Sequence, residues 1–144
     1  MAKFLESDEE LHEVLLRIHR VVVLGASRKA ARAGYYVPAY LQSKGYDLIG
    51  IRPAPEPEPW MGQRPVASLD AAGGPLDILL VFRRSEAMSG YLDDIVAASP
   101  TVVWFQEGSF HDAVAASLLE HDIDVVGPRC ILAEHRRLIG DRSD

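Results

Sequence analysis

At 144 residues, 48% of them hydrophobic and 25% charged, the chain is long enough to bury a sizeable core as a single domain, 1–144, without disulfide or metal staples. A formal net charge of −6 argues against nucleic acid as a partner, because affinity for phosphate backbones needs a dominant basic surface. The apolar runs fall far short of the ~20 residues of a membrane span. The N-terminus lacks the basic-then-apolar layout of a signal peptide, and the lone Cys130 gives no disulfide framework, so the expected setting is a reducing cytoplasm with no membrane partner.

In chain order, "SDEELHEVLLRIH" predicts an amphipathic lead-in helix over about 7–19. Ser7 is placed as N-cap with Glu10 at capping-box spacing, and Leu11, Val14, Leu15 and Ile18 share one stripe. Short apolar runs then alternate with helical patterns: strand "RVVVLG", helix "GYYVPAYLQSKG", strand "DLIGIR". The Pro- and Gly-rich stretch 52–75 interrupts this series and reads as a long surface crossover. Within it, "PVASLDAA" allows a very short strand and one helical turn, and "PAPEPEP" a semi-rigid polyproline segment. The alternation resumes with strand "LDILLVF", helix "SEAMSGYLDDIVAAS", strand "TVVWFQ", helix "FHDAVAASLLEHD", strand "DVVG" and a terminal helix through "ILAEHRRLI". The strands are continuously apolar, as parallel strands covered on both faces are. The expected fold class is therefore α/β: a Rossmann-like, doubly wound, mainly parallel sheet of about five strands in a three-layer α/β/α arrangement.

In such a sheet ligands bind at the carboxyl ends of the strands. That edge collects Gly25, Ala26, Ser27, Arg28 and Lys29 after the first strand, Arg52 and Pro53 after the second, and Phe82, Arg83 and Arg84 after the third. Gln106, Glu107 and Gly108 follow the fourth, and Gly127, Pro128, Arg129 and Cys130 the fifth.

The break at Gly25 suits an anion: glycine permits a tight turn and close backbone approach, Ser27 offers a hydroxyl, and a helix start follows, with Arg28, Lys29 and Arg32 raising the potential. The stretch is not a G-x-G-x-x-G fingerprint, since Ser27 and Ala30 stand where the second and third glycines belong. After the second strand an NAD site wants an acid for the ribose hydroxyls, whereas this chain has Arg52. Arginine prefers a phosphate, which favours the 3′-phosphate of coenzyme A or the 2′-phosphate of NADP over NAD. On the residues alone, an ordinary βα turn and an exposed strand-end arginine remain open as alternatives.

The ordered set formed by Gly25, Ser27 and Gly34, "VFRRSE", "WFQEG" and "VGPRC…EHRRL" resembles the small stand-alone CoA-binding-domain proteins over nearly the whole chain. Its pieces are also similar to the CoA-binding domain of the succinyl-CoA synthetase alpha subunit and its acyl-CoA synthetase relatives. The resemblance implies a Rossmann-like domain that binds coenzyme A or an acyl-CoA. Gly25 and Ser27 would seat the pyrophosphate, Arg52 and Pro53 would border the adenosine, and Phe82 with Arg83 would flank the nucleotide. Many stand-alone relatives show Asn-Pro after the second strand and Asp-Arg-Cys near the end, where this chain has Arg52-Pro53 and Pro128-Arg129-Cys130.

No complete catalytic constellation is visible. The synthetases need a phosphorylated histidine on a later domain, which these 144 residues do not include. His12, His19, His111 and His121 read as solvated or packed side chains. His135, a few residues past Cys130, leaves a Cys–His pair facing the ligand edge conceivable, but no acidic orienter or oxyanion motif supports it as a nucleophile. One Cys and scattered His supply no metal site. The expected function is non-catalytic binding of CoA or an acyl-CoA by a carrier or sensor, with a protein partner or a second copy as further partners. The alternatives are an NADP(H)-binding redox enzyme or sensor, and a purely structural interaction module.

Overall fold

The computed structural model describes residues 1–140. Five strands, β1 (Arg20–Leu24), β2 (Asp47–Ile51), β3 (Ile78–Val81), β4 (Val102–Phe105) and β5 (Asp124–Val126), form one all-parallel sheet in the order β2-β1-β3-β4-β5. Alternation along each strand splits the core in two. Val21, Val23, Leu48, Ile78, Leu80, Val102 and Trp104 pack toward α1 (Asp8–Arg17), α2 (Ala33–Ser43) and α6 (Ile131–Leu138). Val22, Leu24, Ile49, Leu79, Val81, Val103 and Phe105 pack toward α3 (Leu69–Ala72), α4 (Leu92–Ala98) and α5 (Asp112–Glu120). The α/β class, the five parallel strands and helices on both faces are as the sequence implies.

The lead-in helix runs Asp8–Arg17 with the full capping box: Glu10 N–H donates to Ser7 Oγ at 3.1 Å, and Ser7 N–H donates to Glu10 Oε1 at 3.1 Å. Leu11, Val14, Leu15 and Ile18 are all buried. Two local differences from the sequence reading have physical causes. The segment 85–99 is not one helix but a 3₁₀ stretch, Ser85–Tyr91, leading into α4, because Ser89-Gly90 in its middle are weak helix formers. Residues 3–5 run beside β5, with Leu5 N–H donating to Val125 O at 2.9 Å, and so cover a strand edge that would otherwise be open to pairing.

The crossover folds as its composition allows. Val66 makes a parallel bridge to Ile51, and α3 is one helical turn capped by Ser68, whose Oγ accepts from Ala71 N–H. Among the described residues no helix is long and apolar enough to cross a membrane.

Candidate functional site

Because every strand points the same way, the loops leaving β1 to β5 emerge along one edge, and the strand order reverses direction between β1 and β3. A cleft of about 1210 Å³ opens there. Of the residues placed at the ligand edge from sequence, Gly25, Ala26, Ser27, Arg28, Arg52, Pro53, Phe82, Arg83, Gln106, Glu107 and Cys130 all line it. Gly108 does not: its exposed turn at φ +84° instead ties two loops together, its carbonyl accepting from Ser85 N–H at 3.0 Å. The neighbouring Ser109, buried and unremarked in the sequence, lines the cleft in its place. The lining carries Arg28, Lys29, Arg32, Arg52 and Arg83 against Glu56, Asp94 and Glu107, a local excess of cations in a chain of net charge −6.

The first turn is built by close approach. Gly25 has φ +94°, and a Cβ there would stand 3.1 Å from Phe82 Cβ and 3.2 Å from Arg83 N. Gly34, in the first turn of α2, lies so near the loop that its Cβ would meet Gly25 O at 2.5 Å. Ser27 N–H donates to Gly34 O at 3.2 Å, and Ser27 Oγ accepts from Lys29 N–H at 3.1 Å. The start of α2 has no acidic residue in its first turn and no side-chain cap, so its positive dipole end is left for an anion.

The second loop departs from expectation. Arg52 lines the cleft, but its guanidinium is already engaged: Nε donates to Glu56 Oε1 at 2.7 Å, Nη2 to Glu56 Oε2 at 2.8 Å, and Nη1 to Ala26 O at 3.0 Å. Arg28 Nε lies 3.2 Å from the same Oε1 without hydrogen-bond geometry, while its Nη1 and Nη2 donate to the carbonyls of Pro59 and Glu58. The polyproline segment is thus no idle crossover but a strap drawn over the first turn. Arg52 holds the Glu56 carboxyl down at about 2, helped by a backbone N–H and by Arg28. Trp60 ends the strap; it is buried, and its Nε1 donates to Ser27 O at 2.7 Å.

The floor is fixed from the other strands. Buried Gln106 accepts on Oε1 from Ile131 N–H at 2.8 Å, securing the start of α6. Cys130, a half-buried free thiol, is the N-cap of that helix. Arg129 turns away from the cleft: its Nη1 donates to Glu134 Oε1 at 2.8 Å, and Glu134 in turn pairs with Arg137, which reaches Asp8 at 2.8 Å. Phe82 is half-buried, and the exposed Arg83 lies over the Tyr91 ring at 5.9 Å. Exposed Tyr36, Ser68 and Asp94 and half-buried Tyr91 also line the cleft without a signal in the sequence that singles them out.

His135 is not at the ligand edge. It is buried between α6 and α2, its Nδ1 sharing a hydrogen bond of 2.8 Å with Tyr40 Oη, with Tyr46 edge-on at 5.8 Å. A Cys130–His135 pair therefore does not form. Burial, aided by the Lys44 charge, lowers the His135 pKa below its ordinary 6.5. The unfolded chain then takes up a proton on this residue near pH 6.5 while the folded one resists it, so stability is full above 6.5 and declines as pH falls from there toward the folded value. A melting series from pH 7.5 to 5 should show this decline, and His135→Gln should flatten it; an unchanged slope would assign the pH dependence to other groups.

Comparison with known proteins agrees with this geometry. Over residues 19–136 the sequence matches the family described as CoA binding domain. The chain is 32% identical over 129 residues to the uncharacterized protein YneT of Bacillus subtilis (strain 168), covering 90% of this chain and 94% of that one. It superposes on the structure of cell-free ID.343 from Thermus thermophilus with a TM-score of 0.89 at 37% identity, covering 93% of this chain and all (100%) of that one. The dinucleotide forming acetyl-coenzyme A synthetase 1 of Ca. Korarchaeum cryptofilum shares the fold alone, with a TM-score of 0.70 at 20% identity over 81% of this chain and 27% of that one. With the family match spanning most of its length and a parallel sheet whose loops converge on one cationic cleft, the chain belongs to the CoA binding domain family.

Proposed function

We propose that the cleft at the carboxyl edge of the sheet binds coenzyme A or an acyl-CoA, and that the protein acts by binding, as a carrier or sensor, without chemistry of its own. The observation that carries this reading is the convergence of the Gly25–Ser27 turn, the uncapped start of α2 and five basic side chains on one cleft, in a chain otherwise acidic. Size supports it: at about 1210 Å³ the cleft exceeds the roughly 300–1,000 Å³ of common small-molecule sites, as an elongated ligand carrying a nucleotide, a pyrophosphate and a long thiol arm requires. In this reading the turn at Gly25, Ala26 and Ser27 takes the pyrophosphate. Arg28, Arg52 and Pro53 border the adenosine, and Phe82, Arg83, Gln106 and Glu107 line the way past β3 and β4 toward Cys130.

A thermal-shift series with CoA, acetyl-CoA, NAD, NADPH and ATP tests it. A ligand at ~100 times its dissociation constant adds about 2.7 kcal/mol of stability, a rise of several degrees in Tm for a domain of this size. CoA or acetyl-CoA should produce that rise and NAD much less. Stabilisation by NADPH alone would replace the CoA reading with the redox one, and no response to any of them would leave an interaction module.

A further inference from the structure

We propose that Glu56 is a built-in counter-anion: its carboxylate competes with the ligand's ribose phosphate for the Arg52–Arg28 pair, and so sets how strongly the cleft prefers a phosphorylated adenosine over an unphosphorylated one. The inference rests on the CoA reading and names the specificity of that same site.

The geometry sets up the competition. A guanidinium grips an oxyanion through one edge with two parallel N–H groups. Arg52 presents its Nε–Nη2 edge to both oxygens of Glu56, at 2.7 and 2.8 Å, and its remaining nitrogen, Nη1, is committed to Ala26 O. Arg28 has Nη1 and Nη2 on the strap carbonyls, and its Nε lies 3.2 Å from the same carboxylate oxygen without hydrogen-bond geometry. A phosphate that grips Arg52 by its Nε–Nη2 edge therefore takes the place of Glu56. The carboxylate is the partner able to yield. It is a third exposed, on a side chain in the middle of the strap, whereas Ala26 O belongs to the turn itself. The strap is fixed at its far end by Trp60 and by the carbonyls of Glu58 and Pro59, so Glu56 can withdraw without the strap leaving the site. A dianionic phosphate carries more charge to two arginines than one carboxylate does. An unphosphorylated ribose carries none, and leaves the pair to Glu56.

Isothermal calorimetry with CoA and with 3′-dephospho-CoA tests this on the full chain as wild type, Glu56→Gln, Arg52→Ala and, as a charge-matched control two residues along the strap, Glu58→Gln. The expected result is that Glu56→Gln raises the ratio of CoA to dephospho-CoA affinity roughly tenfold over wild type, while Glu58→Gln leaves the ratio unchanged and Arg52→Ala brings it close to one. If Glu56→Gln and wild type share one ratio, or if Glu56→Gln weakens both ligands alike, Glu56 is not a competitor and the proposal is overturned with CoA binding intact. If Glu58→Gln raises the ratio as much, the effect is general charge and the proposal also fails. If wild type binds neither ligand, the CoA reading itself falls and takes this one with it.

Discussion

Trp60→Ala is expected to lower the unfolding free energy by about 3–5 kcal/mol and to weaken CoA binding by more than that loss explains. The indole is 2% exposed and lies against the β2 backbone so closely that a Cβ on Gly50 would meet its Cε3 at 2.7 Å. Its removal leaves a cavity that β2 cannot close, and it also frees the strap. The Nε1–H to Ser27 O bond of 2.7 Å is the direct tie between the strap and the first turn, and the backbone of Trp60 pairs with Gln63 to end the loop. Trp60→Phe separates the two contributions. It keeps most of the apolar volume and strips only the donor, leaving the Ser27 carbonyl unpaired at a cost of about 1–3 kcal/mol. Denaturant melts should rank wild type above Phe above Ala, and calorimetry at a concentration where each is folded should show both variants binding CoA less tightly. Binding equal to wild type in both would mean that the strap does not shape the site.

The parts of the fold that were legible are those whose signal is local. Runs such as Val21–Val22–Val23 and Leu79–Leu80–Val81 are β-branched or aliphatic throughout, which only a strand covered on both faces tolerates, and parallel strands bring their following loops to one edge whatever the loops contain. That is why the edge that carries the cleft could be read from the sequence. The strap could not. "PAPEPEPW" has no periodicity, and its path is decided by Arg28 and Ser27, roughly thirty residues earlier in the chain, so nothing local says that Glu56 turns inward to Arg52. The acid missing from the end of β2 arrives four residues late, on the strap. Helix geometry already separates His135 from Cys130: five residues is about 140° around the helix, and this puts the imidazole under Tyr40 and not on the cleft. Gly108 lies in the right loop, but its place is at the exposed tip of a turn, with Ser109 below it.

Gly25→Val is expected to abolish CoA binding, and the matched pair Gly25→Ala and Gly108→Ala shows why. Both glycines sit at positive φ, +94° and +84°, where an L side chain is strained, and each substitution should cost on the order of 1 kcal/mol from that conformation. Their surroundings differ. Around Gly108 a new Cβ meets nothing within 4 Å, so only the backbone strain is felt. At Gly25 the Cβ would press on Phe82 Cβ at 3.1 Å and Arg83 N at 3.2 Å, both fixed at the end of β3, where Phe82 N–H donates to Leu24 O at 2.8 Å. The first turn must then lift from the sheet, carrying with it the Ser27 N–H, which is bonded to Gly34 O, and so disturbing the start of α2 packed close against it. A displacement of a few tenths of an ångström is enough to spoil hydrogen bonds from the turn to a pyrophosphate, since those depend steeply on distance and angle. Gly25→Ala should therefore bind CoA at least tenfold more weakly than wild type and Gly25→Val not measurably, while Gly108→Ala melts lower yet binds as wild type does. Equal affinity in Gly25→Ala and Gly108→Ala, by calorimetry, would move the ligand off the first turn and onto another part of the cleft.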